Sequence, residues 1–230
     1  MGVVSREMRF SVVFLVLTAA ALADTSGRPT TPPGLAAGWV FTRGSVREER
    51  SRKPLELVQA KIERAGLVLD KGCAVLKDDA IGRVTGSMTL ESWVRFDDLS
   101  AGWTCFICRG TPGSGTNQSY GLYVSSAGSI YFTTIANNTA TQGGKVAAGA
   151  WVHIVAVVDE KALEVRLYVN GESVKTEKAR EGVKDRGGTF CIGGDDKNYR
   201  HGMTGCVRSV RVFDRAMSDA DVRRMSKAKP

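Results

Sequence analysis

Across residues 34–213 apolar positions alternate with polar ones in short runs, broken by clusters of glycine, asparagine, aspartate and serine. That rhythm predicts many antiparallel strands. In MTLESWVRF, Met88, Leu90, Val94 and Phe96 share one face with Ser92, while Thr89, Glu91, Trp93 and Arg95 take the other. In LEVRLYVNGESV, Leu163, Val165, Leu167 and Val169 alternate with Glu164, Arg166, Tyr168 and Asn170, and Asn170-Gly171 supplies the positive φ angles of a tight hairpin turn. WVHIVAVV, over 151–158, is apolar at nearly every position and predicts a central strand buried on both sides. YGLYV and SIYFTTI form a further hairpin around Ala127-Gly128. Val207, Val210, Val212 and Phe213 make a last strand, after which the pattern changes to a short helix. Ser218 is its expected N-cap. Asp219 and Asp221 suit the positive start of that helix, Arg223, Arg224 and Lys227 its end, and Met217, Val222 and Met225 are placed to anchor it to the sheet.

The whole chain of 230 residues fits one large all-β sandwich. It is preceded by a different pattern: Arg6 and Arg9 lead into an apolar run over 10–22 that closes on Ala21-Leu22-Ala23. This predicts a secretory signal peptide over 1–23, cleaved near Ala23, and a secreted or extracytoplasmic protein. Residues 24–33 read as a linker or flexible N-terminus, and 34–227 as the folded domain. No later run reaches the roughly 18 consecutive apolar residues of a transmembrane segment.

Export makes Cys73, Cys105, Cys108, Cys191 and Cys206 candidates for disulfides. The odd count leaves at least one unpaired, and Cys191 with Cys206, each at the start of a late strand, is the first pairing to test. Cys105 and Cys108 form a CxxC, but in a regular strand positions three apart point to opposite faces, which argues against a redox or zinc pair. The formal charge of +8 favours anionic partners, sulfated or acidic polysaccharide among them. Basic residues gather at Arg43, Arg47, Arg50, Arg52 and Lys53, and again at Arg208, Arg211, Arg215, Arg223, Arg224, Lys227 and Lys229. A solvated charged face accounts for both groups without a dedicated site.

The closing VRVF strand with DRAMS and an acidic-to-basic helix resembles the end of laminin-G-like, concanavalin-A-like jelly-roll domains. GLAAGWVF, GLVLDKG, MTLESWVRF, GWTCFICRG and AGAWVHIVAVVDEKALEVRLYVNGESV resemble the earlier strands of that family in the same order. The resemblance covers nearly all of 34–226. It implies an all-β fold, a two-sheet antiparallel jelly-roll sandwich with a short C-terminal helix. Such domains are most often recognition modules whose loops at one end bind glycans or proteins, and many hold calcium there. In the related pentraxins the calcium ligands follow strands that correspond here to 104–109 and 189–193; the segments after them read TPGSGTNQS and GGDDKNYRHG.

Calcium takes six to eight oxygen ligands. Asn117, Gln118, Asp195, Asp196 and Asn198 are the candidate metal ligands, although the same residues are ordinary in solvated turns. The chain departs from the family at Arg208-Ser209, where acidic residues are common. A sugar site needs aromatic faces beside polar groups, and the candidates are Trp103, Tyr120 and Tyr199, with Asn117 and Arg200 and with Asp195 and His201 nearby. Trp39, Trp93 and Trp151 lie inside strands and read as structural. Asn117 and Asn137 also match the N-glycosylation pattern.

Enzymatic motifs are missing. Glycoside hydrolysis needs a carboxylate pair flanking the scissile bond, whereas Glu91 and Glu164 stand alone on their strands. His153 reads as a satisfied core histidine, His201 is isolated in a loop, and no HExxH, phosphate loop or dinucleotide fingerprint occurs. The sequence therefore predicts an exported, non-catalytic binding module for extracellular carbohydrate or a cell-surface or matrix protein, calcium dependence included; the rival is a structural or protein-interaction domain without a sugar site, and a glycoside hydrolase ranks third. It predicts no nucleic-acid partner and no transmembrane segment.

Overall fold

The computed structural model describes residues 31–50, 54–76, 82–110, 118–134, 139–194 and 201–228. The expected signal peptide, most of the linker and both glycosylation asparagines lie outside these residues.

Alternation carries the sheet. The strands are β1 (Leu35–Thr42), β2 (Ser45–Glu48), β3 (Glu56–Glu63), β4 (Gly66–Leu76), β5 (Met88–Asp98), β6 (Trp103–Gly110), β7 (Gln118–Ser125), β8 (Ser129–Thr134), β9 (Thr139–Lys145), β10 (Trp151–Asp159), β11 (Glu164–Val169), β12 (Glu172–Lys178), β13 (Thr189–Ile192) and β14 (Met203–Phe213), followed by α1 (Asp219–Lys227). All pairings are antiparallel. One layer runs β12-β11-β10-β5-β14-β1-β2 and the other β3-β4-β13-β6-β7-β8-β9. They join where β14 changes partner: Met203–Val207 pairs with β4, and the remainder with β1. Gly205 sits at this irregular stretch with φ 156°, and a Cβ there would lie 2.1 Å from the Arg95 carbonyl oxygen, so the position admits only glycine.

The space between the layers is filled by the faces that alternation assigns inward, including Leu90, Val94, Phe96, Leu122, Phe132, Ile154, Leu167 and Val210. Trp39 stacks on Phe190 at 5.1 Å and Phe96 meets Phe106 edge-on at 5.3 Å, each pair joining one layer to the other. β10 is central, between β5 and β11, and its second apolar face, Val155 and Val157, is covered by α1 through Met217, Val222 and Met225. Ser218 caps the helix by accepting from the Asp221 amide. Asn170 and Gly171 take φ 53° and 87°, which fixes the β11–β12 hairpin.

Three strands went unpredicted. β2 and β3 come from a stretch whose basic residues suggest a solvated surface, and β9, TATQGGK, carries almost no apolar signal. β9 is held as an edge strand, with Gly143 and Gly144 tucked against Lys175, Val174 and Val169 of the other layer.

The cysteines require two corrections. Cys191 cannot bond Cys206: β4 lies between their strands, and the two meet it at Val75 and Val68 respectively, far apart along its length. Cys105 and Cys108 do not point to opposite faces. A bulge between Cys105 and Ile107 inserts one extra residue, so both thiols turn to the same side and pack with Cys191.

Candidate functional site

The non-core face of the second layer is built from the residues that alternate with its buried ones. β7 sends Tyr120, Leu122 and Val124 into the core, leaving Gly121 and Tyr123 outside. β8 buries Ile130 and Phe132, leaving Tyr131 and Thr133 outside. Strand register then arranges these residues in rows. Gly121, Thr133 and Ala140 form one row across β7, β8 and β9, and Tyr123, Tyr131 and Gln142 the next.

Thr133 and Ala140 of the small-residue row line a cavity of about 390 Å³ together with Trp103, Gln118, Tyr123, Tyr131 and His201. Trp103 is 44% exposed and meets Tyr131 edge-on with ring centroids 4.6 Å apart. Tyr123 meets His201 in the same manner at 6.4 Å. The Gln118 side-chain amide donates to the Tyr123 hydroxyl, which fixes one polar wall. Thr133 Oγ1 is buried without a hydrogen-bond partner among the described residues, an acceptor and donor held at the floor. Gly121 keeps the floor low: a Cβ there would lie 2.7 Å from Tyr123 Cε2. His201, at φ 56°, is tied to β6 by its carbonyl, which accepts from the Cys105 amide at 2.7 Å, and it also walls a smaller cavity of about 220 Å³ with Lys71, Asp98 and Thr204.

Two of the described site residues predicted from sequence, Trp103 and Gln118, therefore lie in one cavity. Tyr120 does not. It is fully buried, its hydroxyl donates to the Gly82 carbonyl at 2.7 Å, and burial pushes its pKa above the usual phenol range. The reason is parity, since Tyr120 shares the face of Leu122 and Val124. Asn117, Asp195, Asp196, Asn198, Tyr199 and Arg200 lie outside the described residues, so of the proposed calcium ligands only Gln118 is described. No group of three or more potential metal ligands occurs among the described residues. Tyr123, Tyr131 and Thr133 went unpredicted, although the signal was present: each alternates with core residues in runs already assigned as strands.

A second polar cluster lies on the outer face of the first layer. His153 Nε2 is 3.1 Å from Glu91 Oε1, and Arg211 donates to Glu91 at 3.2 Å and to Glu49 at 2.6 Å. Glu91 and His153 are buried, and Trp93 lies against the His153 ring at 5.1 Å. Burial pushes the Glu91 carboxyl up, but hydrogen bonds and charge from His153 and Arg211 outweigh it and hold the group below its ordinary range. The charged groups of this cluster pair with one another, and His153 Nδ1 is buried without a hydrogen-bond partner among the described residues. The basic residues are used similarly: Arg47 pairs with Glu49, Arg50 donates to the Leu35 carbonyl, Arg208 lies 4.3 Å from the Trp151 ring, and Arg215 and Arg224 share Asp221.

A family model described as "Concanavalin A-like lectin/glucanases superfamily", of the laminin-G type, matches residues 71–223. The chain belongs to that superfamily. No curated protein sequence matches it. Among solved structures, Trypanosoma rangeli sialidase is similar with a TM-score of 0.64 at 16% identity, over 91% of this chain and 35% of that one. The chain thus spans about a third of the length of the sialidases it resembles. The CBM40 of Ruminococcus gnavus IT-sialidase, solved bound to α2,3 sialyllactose, has a TM-score of 0.53 at 13% identity, over 62% of this chain and 83% of its own. The receptor-binding domain of a botulinum neurotoxin C/D mosaic has a TM-score of 0.63 at 15% identity, over 85% of this chain and 51% of its own. At these identities the likeness establishes the superfamily fold, within which carbohydrate-binding domains are neighbours.

Proposed function

We propose that this domain is an exported, non-catalytic carbohydrate-binding module whose ligand lies in the trough between Trp103, Tyr131, Tyr123 and His201. The observation that carries this reading is an exposed tryptophan set edge-on to a tyrosine in one cavity with Thr133 and Ala140. Sugar rings present C–H patches that pack on aromatic faces, while their hydroxyls need partners; Gln118, Thr133 and His201 supply them. The cavity volume is within the usual range for a small-ligand site. The export part of the proposal rests on the leader pattern over 1–23.

The test is a glycan array followed by calorimetry on the mature protein and on Trp103→Ala. Wild type should bind a defined glycan, and the variant should lose on the order of 30-fold in affinity, the scale of an aromatic anchor. Its melting temperature should change little, since Trp103 is largely at the surface. Absence of glycan binding by wild type, or full binding by Trp103→Ala, overturns the reading and favours a protein-interaction role.

A further inference from the structure

The row that floors the trough does not stop at Gly121. On β6 it continues to Cys108, the register partner of Gly121, and on β13 to Cys191, the register partner of Cys108. Cys108 and Cys191 are each 2% exposed and share one buried cluster with Cys105, against which Tyr123 packs. The Gly193 amide donates to the Phe106 carbonyl, so Cys191 and Cys108, two residues further along each strand, oppose one another as a hydrogen-bonded pair with Cα atoms about 5.5 Å apart, within the roughly 4.4–6.8 Å that a disulfide spans. Both side chains lie on the same face of the sheet, so the bond requires no change of register. Cys108 Sγ would turn away from the Gly194 carbonyl, which it meets at 3.5 Å.

The other cysteines are excluded as ladder partners by position. Cys105 faces Tyr123 on β7, Cys73 faces Val58 on β3, and Cys206 faces Val68 and Arg95. We infer that Cys108 and Cys191 form a cross-strand disulfide when the chain folds in the presence of a disulfide oxidant such as oxidised glutathione. One thiolate attacks the oxidant's S–S bond, giving a mixed disulfide and one glutathione thiol. The second thiolate then displaces the other glutathione, so the cysteine pair loses two electrons and two protons and the oxidant becomes two thiols. Burial of both sulfurs places this step before or during closure of the sheet. The product clips β6 to β13 at the end of the trough floor. The Cys105–Ile107 bulge matters because it turns the neighbouring Cys105 to the same side, although that residue stays off the row.

The inference is independent of what the trough binds. The reduced mature chain is refolded in a mixture of reduced and oxidised glutathione, denatured with iodoacetamide, digested without reductant and mapped by mass spectrometry. The expected map contains a Cys108–Cys191 linked peptide, with Cys73, Cys105 and Cys206 alkylated. The oxidised protein should melt on the order of 5–10 °C above its reduced form. Cys105→Ser should retain the link. Five alkylated cysteines, or a link joining Cys105 to either partner, overturns the inference, and the wild-type map decides even if Cys108→Ser or Cys191→Ser fails to fold.

Discussion

On the outer face of the first layer, Glu91, His153, Arg211 and Glu49 close on one another; on the outer face of the second, Gln118, Thr133 and His201 stand around an open trough. Both faces combine aromatic and polar side chains on alternate strand positions. The difference is cover and charge pairing. In the first layer α1 and β1–β2 flank the polar groups, which are buried and mutually charge-paired. In the second, a small-residue row lowers the floor beneath aromatic walls and leaves a tryptophan exposed.

The sharpest way to break the comparison is Glu91→Ala. It leaves His153 buried without its carboxylate and Arg211 with Glu49 alone, and removing one member of a buried ion pair costs about 3–5 kcal/mol. Urea unfolding should show that loss, with the melting temperature down on the order of 10 °C. Glycan affinity, measured well below the melting temperature, should remain within a factor of about two, because additivity holds for separated sites. A large affinity loss in the folded variant would show that the two faces are coupled.

Gly121→Ala makes the opposite change. Its Cβ would meet Tyr123 Cε2 at 2.7 Å, forcing the ring outward and raising the floor. The expected result is a roughly tenfold loss of affinity, equivalent to about 1.4 kcal/mol, with a stability cost of about 1–3 kcal/mol from overpacking. An unchanged affinity would remove the trough floor from the site.

Acid separates the faces more gently. Burial raises the Asp185 carboxyl, but its hydrogen bond from Arg109 at 2.8 Å and that residue's charge bring it below the ordinary range, as His153 and Arg211 do for Glu91. A carboxylate with a lowered folded pKa contributes stability that is complete above its unfolded pKa, roughly pH 4, and is lost as pH falls through the lower folded value. The urea midpoint should therefore fall as pH drops from about 5 towards 2. Glu91→Ala should flatten part of that slope, and an unchanged slope would show that Glu91 does not contribute to it.

The strand rhythm made the core legible. β5, β10, β11 and β14 with the serine-capped helix follow from side-chain parity, a hairpin turn and one N-cap, all local properties. The parts that resisted depend on distant chain. β3 and β9 are held at edges by neighbours their own residues do not announce, and the bulge at Cys105 reverses a parity rule by one inserted residue. Tyr120 was assigned to the ligand because a tyrosine near a loop invites it, although the alternation that puts Leu122 inside puts Tyr120 inside as well. The same criterion, an aromatic ring beside polar loop residues, selects Trp103, which does line the cavity; its neighbours there, Tyr131 and Tyr123, require register across three strands.

Calcium removal should produce the smallest effect. The family resemblance places calcium at the loops that carry Asn117 and Asp195–Asn198, and the described residues contribute one candidate oxygen, Gln118 Oε1, while the Gln118 amide nitrogen is engaged with the Tyr123 hydroxyl. Gln118 is the one described residue shared by the proposed calcium ligands and the trough. The platform itself consists of aromatic rings and neutral polar groups whose positions are set by strand register, so its affinity should change less than about twofold between excess chelator and millimolar calcium. Thermal shift distinguishes the two locations, because an ion bound to the native state raises the melting temperature whether or not the ligand needs it. A calcium-dependent rise in melting temperature with unchanged glycan affinity places the ion at the loop end, apart from the platform. A tenfold loss of affinity in chelator would instead move the ligand onto those loops and leave Trp103 at the margin of the site.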